Sequence, residues 1–185
     1  MENFRGFKKW LEQGWGQPGI AVYAFIGCIT SISLIGLVGL TVHWPLLFPS
    51  LGPTVILFFE RGQRPAAWPR NTIIAHGIAI AAGWVSLALF GLLDDPNILM
   101  TGITTAHIGA GALSVALTAF IKHLFHAPHP PAGATTMIIS LGFFTTLPQL
   151  TVMALSLILV TIFGWSLNRI LGGKMPLWGE RSQSS

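Results

Sequence analysis

Pro49-Ser50-Leu51-Gly52-Pro53-Thr54 and Pro130-Pro131-Ala132-Gly133-Ala134-Thr135 carry the same P-x-x-G-x-T pattern, 81 residues apart. The pattern suits capture of a small anion. Proline stiffens the approach and cannot continue a helix, so each helix should start near its glycine. A helix start presents unpaired backbone N–H groups and about half a positive charge, and these hold an anion without a buried Lys or Arg. Gly52 and Gly133 lack a side chain, which lets a solute approach the backbone, and Thr54, Thr135 and Thr136 add hydroxyl donors. His129 directly precedes the second motif and can either donate to a solute or anchor the loop. His76 lies in an apolar run, where an ionisable side chain faces the bundle interior or a cavity, or bonds a neighbouring carbonyl. The candidate binding set is therefore Ser50, Gly52, Thr54, His76, His129, Pro131, Gly133, Thr135 and Thr136. The competing explanation is that these prolines and glycines kink helices while the Thr hydroxyls bond backbone carbonyls. Repetition at matched positions favours the site.

Other chemistry is poorly represented. His123, His126 and His129 read H-x-x-H-x-x-H, but the Ala-Pro-His-Pro-Pro that closes the run breaks the helix needed to put all three on one face. No metal and no cofactor is expected. His107 also falls in an apolar run, whereas Asn71 and Asn168 lie near run ends, where polarity costs little. The single cysteine, Cys28, excludes disulfides within a subunit. There is no nucleophile elbow, phosphate-binding glycine loop or carboxylate pair in the apolar runs, so an enzyme is not expected.

The elements that must position the two motifs are membrane segments. Of 185 residues 52% are apolar and only 9% charged, too few charges to build a water-facing surface. Four runs, residues 20–43, 72–93, 103–121 and 149–170, are long enough to cross about 30 Å of hydrocarbon as helices. Residues 45–60 and 128–144 are apolar but proline-rich in their first halves, so they read as broken crossings whose second halves alone are helical. Six crossings put all ten Lys and Arg residues on one face, which is cytoplasmic by the positive-inside rule, with Asp94 and Asp95 in a short loop outside. A four-crossing count would put Arg61, Arg64 and Arg70 outside.

The 81-residue shift also aligns Gly83-Trp84 with Gly164-Trp165, Gly91 with Gly172 and Ser33 with Ser114. Three segments per half is an odd number, so the second half enters from the opposite side, as inverted repeats. The expected organisation is an all-α membrane protein. It has an amphipathic cytoplasmic segment at 1–19, a first repeat at 20–93, an inverted repeat at 101–172 and a cytoplasmic tail at 173–185. Around Phe4, Lys8, Lys9, Trp10 and Trp15 the first segment suits a helix lying on anionic lipids. Topology accounts for the net charge of +4, so nucleic acid is not an expected partner. No cleavable leader is expected either, because the first run starts after about 19 residues without a small-residue cleavage site. Gly109-Ala110-Gly111-Ala112 suits packing against copies of the chain.

His129-Pro130-Pro131-Ala-Gly-Ala-Thr-Thr resembles the HPP family of integral membrane proteins. Phe48-Pro-Ser-Leu-Gly-Pro-Thr54, Pro69-Arg-Asn71, His76-Gly77 and the order of apolar runs extend the likeness over roughly residues 18–172. The resemblance implies a multispanning membrane protein. Its cyanobacterial and chloroplast-envelope members are associated with nitrite transport, and some bacterial relatives append a soluble CBS module that this sequence does not show. The expectation is movement of a small inorganic anion, nitrite first, across a bacterial plasma membrane of cyanobacterial type. Another small solute, a metal-dependent membrane enzyme and a regulatory subunit without flux of its own remain the alternatives.

Overall fold

A computed structural model describes residues 6–178, all of whose regular structure is helical. Arg5 and Arg181, two of the basic residues counted above, lie outside the described residues. A short helix α1 (Phe7–Trp15) ends at Gly16, whose φ of +60° turns the chain into α2 (Gln17–Val42). Pro18, in the first turn of α2, is tolerated because no helical partner exists there for its missing N–H. The long helices α4 (Pro69–Leu89) and α8 (Leu147–Ile170) also carry proline in the first turn, whereas α6 (Thr105–Leu124) is capped by the Thr104 hydroxyl. Helices α2, α4, α6 and α8 are each long and apolar enough to cross a membrane. Large apolar side chains such as Phe25, Leu40, Leu89 and Ile162 point outward from them. A surface of that kind belongs in lipid.

The two proline-rich segments are only partly helical: α3 (Leu51–Arg61) fills the second half of the first, whereas α7 (Ala132–Ser140) begins within the first half of the second and ends before Phe144. Non-helical chain closed by a turn precedes each, where their prolines lie. The boundary expected at residue 20 is corrected: α2 starts at Gln17, because Gly16 already ends the amphipathic helix. The loop after α4 is likewise not plain. It holds α5 (Ile98–Thr101), started by the Asn97 side chain, which accepts from the N–H of Leu99.

The packing gathers the helix ends into two sets. At one end the N–H of Lys8 donates to the carbonyl of Leu171 (2.9 Å), the N–H of Arg70 to Leu177 (3.4 Å) and the Asn168 amide to Phe58 (2.9 Å). The starts of α1 and α4 thus lie beside the ends of α3 and α8. At the other end the Ile98 N–H donates to the Leu141 carbonyl (3.2 Å) and the Trp84 indole to the Thr145 carbonyl (2.9 Å). Here the end of α4 meets the end of α7 and the start of α8. Helix α4 packs on α6, α7 and α8, while α2 and α3 pack on each other and on α8.

Two glycines allow close approaches between α4 and α7 and between α8 and α3. A Cβ on Gly83 of α4 would lie 2.9 Å from the Thr136 carbonyl oxygen and 2.9 Å from Ile139 Cβ on α7. One on Gly164 of α8 would lie 2.5 Å from the ring of Phe58 on α3. Phe58 and Ile139 are both fully buried.

Candidate functional site

Where the extended lead-in to α7 passes α3 and α4, four of the expected site residues meet. Thr54, His76, His129 and Thr135 are all buried. His76 Nδ1 lies 2.8 Å from the Thr135 hydroxyl, and its Nε2 lies 3.1 Å from the Thr54 hydroxyl and 3.1 Å from His129 Nε2. The Thr54 hydroxyl is also 3.3 Å from His129 Nε2 and 3.0 Å from the Ser50 carbonyl. The two imidazoles meet edge to face, with ring centroids 4.8 Å apart. Thr54 and Thr135, the last residues of the two P-x-x-G-x-T motifs, are thus bridged by one ring.

The partners assign the protons. His129 Nδ1 is 2.7 Å from the Ala66 carbonyl oxygen, which can only accept, so Nδ1 carries the hydrogen. In the neutral ring Nε2 of His129 is then an acceptor, and the hydrogen between the rings belongs to His76 Nε2. His76 Nδ1 is left to accept from Thr135. The result is a directed chain from the Thr135 hydroxyl through His76 and His129 to the Ala66 carbonyl. Every ring nitrogen in it has a partner.

A cavity of about 720 Å³ reaches this cluster from one end of the bundle, and Arg70, Asn71, Lys122, His123, His126 and His129 are among its lining residues. A second cavity, of about 660 Å³, is lined by Trp44, Pro45, Phe48, Phe144, Gln149 and Val152 among others. Phe48 and Phe144 stack edge to face there, with ring centroids 5.0 Å apart. The two cavities pair up along the sequence. Shifting by 81 residues takes Phe48 to His129, Pro45 to His126, Arg70 to Thr151 and Asn71 to Val152. The first cavity is cationic and hydrogen-bonding where the second is mostly apolar.

The remaining expected residues lie around the cluster. Ser50 is buried, its hydroxyl has no partner among the described residues, and its carbonyl accepts from Thr54. Pro131 borders a shallow groove between α3 and α7, together with Pro53, Glu60 and Pro130. Gly52 and Gly133, second residues of their helices, are partly exposed, and an added Cβ at either would meet nothing within 4 Å. Thr136 is buried but donates to the Ser114 carbonyl of α6 (3.4 Å), away from the histidines. His107 is tied to its own helix start by Thr104 (2.7 Å), and Asn71 donates to the Pro65 carbonyl (2.8 Å). Among the described residues no three His, Cys, Asp or Glu side chains converge as a metal ion would require.

One physical premise is corrected. The N–H groups at the start of α7 are not bare: Ala132, Gly133 and Ala134 donate to the carbonyls of His129, Pro130 and Pro131 at 3.3, 3.0 and 3.0 Å. The His-Pro-Pro turn winds straight into the helix and satisfies donors that a sharper break would have left free. The side chains that meet at the start of α7 are likewise paired with one another, and of the candidate binding set only the Ser50 hydroxyl is buried without a partner among the described residues. Sequence reasoning also missed Thr72, whose hydroxyl sits 3.4 Å from His129 Nδ1, and the Ala66 carbonyl. Thr72 was findable, since it lies one helical turn before His76 and so on the same face. A backbone carbonyl carries no sequence signal.

Residues 15–176 match the family described as HPP, transmembrane region. A transmembrane protein of Dictyostelium discoideum is 27% identical over 146 residues, covering 74% of this chain and 48% of that protein. The chain thus spans about half the length of the curated relative it matches. No solved structure matches it.

Proposed function

Because the chain belongs to the HPP transmembrane family, we propose that it moves a small inorganic anion across a membrane, nitrite first. The observation that carries this reading is the buried Thr54–His76–His129–Thr135 cluster at the foot of a cationic cavity. Polar side chains are costly at membrane depth and are kept there for pathways and binding. Arg70 and Lys122 concentrate anions at the mouth, and the hydroxyls and imidazoles within offer neutral hydrogen bonds. Of the other expected contacts, Ser50, Gly52, Pro131 and Gly133 would border the approach to this cluster, and Thr136 would hold α7 against α6 beside it.

On this reading α2, α3 and α4 form one repeat and α6, α7 and α8 its inverted counterpart, six membrane segments in all. The interior packing supports it. Gly83 receives Ile139 and Gly164 receives Phe58, and the 81-residue shift that turns Gly83 into Gly164 turns Phe58 into Ile139. A two-fold relation between halves requires such reciprocal contacts. The basic end of the bundle would face the cytoplasm of a bacterial cell, with both termini on that side. Cysteines placed singly at Arg64 and at Asp95, in a Cys28→Ala background, are expected to react with impermeant reagents from opposite sides. Labelling of both positions from the same side would remove the six-segment arrangement.

The direct test is flux. Liposomes containing only this protein should take up nitrite faster than protein-free liposomes, with saturation as external nitrite rises. Uptake no faster than in protein-free liposomes would end the transport reading for this anion, and the same vesicles would then report on other small solutes.

A further inference from the structure

We propose that the anion crosses with one proton held by the His76–His129 pair, so that each transport event is electroneutral. This rests on the anion reading above and adds its coupling. Among the described residues the buried side chains that can become cationic are three histidines, His76, His107 and His129, and no Lys or Arg is buried. His107 is engaged at the start of α6. A bound anion would therefore find no fixed positive charge in the interior, and a lone charge there is expensive. A proton and an anion entering together bring no net charge.

The hydrogen-bond geometry provides for both at once. The 3.1 Å contact between the two Nε2 atoms exists because His76 donates and His129 accepts. A proton added to His129 Nε2 would set N–H against N–H and break that contact. Two Nε2–H groups separated in this way both need an acceptor; the Thr54 hydroxyl oxygen, 3.1 and 3.3 Å from them, can serve one, and an anion oxygen between the rings serves the other. The protonated pair therefore favours the anion, and the anion favours the protonated pair. Such coupling is reciprocal by thermodynamic necessity. The only bond made and broken is the N–H at His129 Nε2: one proton and one anion enter, and both leave.

The surroundings give the proton a route on one side. His129 reaches the cavity that also holds Arg70, Lys122, His123 and His126. The remaining groups about it are the Thr72 hydroxyl and the Ala66 carbonyl. His76 faces the Thr54 and Thr135 hydroxyls and, from α8, Ala154 and Leu157. Glu60 borders the separate groove beside Pro130 and Pro131.

The test uses wild-type protein in liposomes, with nitrite as the probe and protein-free liposomes subtracted. External pH is read in weak buffer, and the membrane potential is set by potassium and valinomycin. The expected result is disappearance of one external proton per nitrite taken up, with a rate unchanged when the sign of the potential is reversed. A gradient of one pH unit, acid outside, should drive roughly tenfold accumulation, the equilibrium of one-to-one coupling. In His129→Gln, which keeps a donor but takes no proton, proton uptake should vanish and any residual nitrite flux should follow the potential; an unchanged melting transition shows the variant folded. Wild-type uptake that follows the potential and ignores the pH gradient overturns the coupling and leaves the anion reading standing. Absence of protein-dependent nitrite flux under either gradient overturns both.

Discussion

Nitrite flux falls at least tenfold in His76→Leu and in His129→Phe, and the double variant falls little further. Each substitution leaves buried partners without their hydrogen bond: Thr135 and His129 in the first, the Ala66 carbonyl and His76 in the second. An unsatisfied buried group costs about 1–3 kcal/mol, and 1.4 kcal/mol is about tenfold. Because the two rings share one hydrogen bond, losing either disables the pair, and the effects should not add. The replacements are chosen to let the chain fold. The positions 81 residues away from His76 and His129 hold Leu157 and Phe48, so on the inverted-repeat reading proposed above each side chain would already occupy the matching place in the other half. Flux in proteoliposomes at matched protein content, with melting followed in detergent, is the measurement. Undiminished flux in His129→Phe would falsify the assignment of the cluster to the pathway.

Valine at Gly83 or at Gly164 should be far more destabilising than valine at Gly52 or Gly133. At Gly83 even the Cβ would press on the Thr136 carbonyl, which can yield only if α7 shifts; at Gly164 it would press on Phe58, which is fully buried and has nowhere to turn. Overpacking of this kind costs about 1–3 kcal/mol and leaves a lower melting temperature. Gly52→Val and Gly133→Val are the contrast, since a Cβ at either position meets open space. Both should melt close to wild type and lose most nitrite flux, because the added side chain would occupy the approach to Thr54 and Thr135. Equal melting of all four variants would remove the close approach of α4 to α7 and of α8 to α3. Normal flux in both Gly52→Val and Gly133→Val would move the pathway away from the P-x-x-G-x-T motifs.

Much of the architecture was legible because its causes are local. Proline at 45 and 49 and at 128, 130 and 131 fixes where a helix cannot run, and α3 and α7 start at Leu51 and Ala132 accordingly, with Pro53 tolerated in the first turn of α3. Four uninterrupted apolar runs became α2, α4, α6 and α8, with ends displaced by a few residues. The displaced ends reflect caps and turns, such as Gly16 before α2, where apolarity carries no information. Helix α5 escaped for a related reason. A four-residue helix leaves no periodicity to read, and only the Asn97 cap marks it.

The site was legible as residue types and not as an arrangement. Thr54, His76, His129 and Thr135 could each be singled out because polar groups in apolar sequence need partners. That they are one another's partners could not, because His76 and His129 stand 53 residues apart and meet through ring orientations set by three packed segments. The α7 donors were misjudged on the same account: the route of the backbone through His129-Pro130-Pro131 decides whether those N–H groups are free, and proline alone does not fix that route. By itself the sequence determined an all-helical membrane chain, its broken segments and the membership those motifs suggested, since length, apolarity and proline act within a few residues. Only the tertiary structure decided which polar groups share a hydrogen bond, how the protons in that chain are directed and which cavity reaches it. Those depend on distances between segments remote in sequence, which no local rule contains.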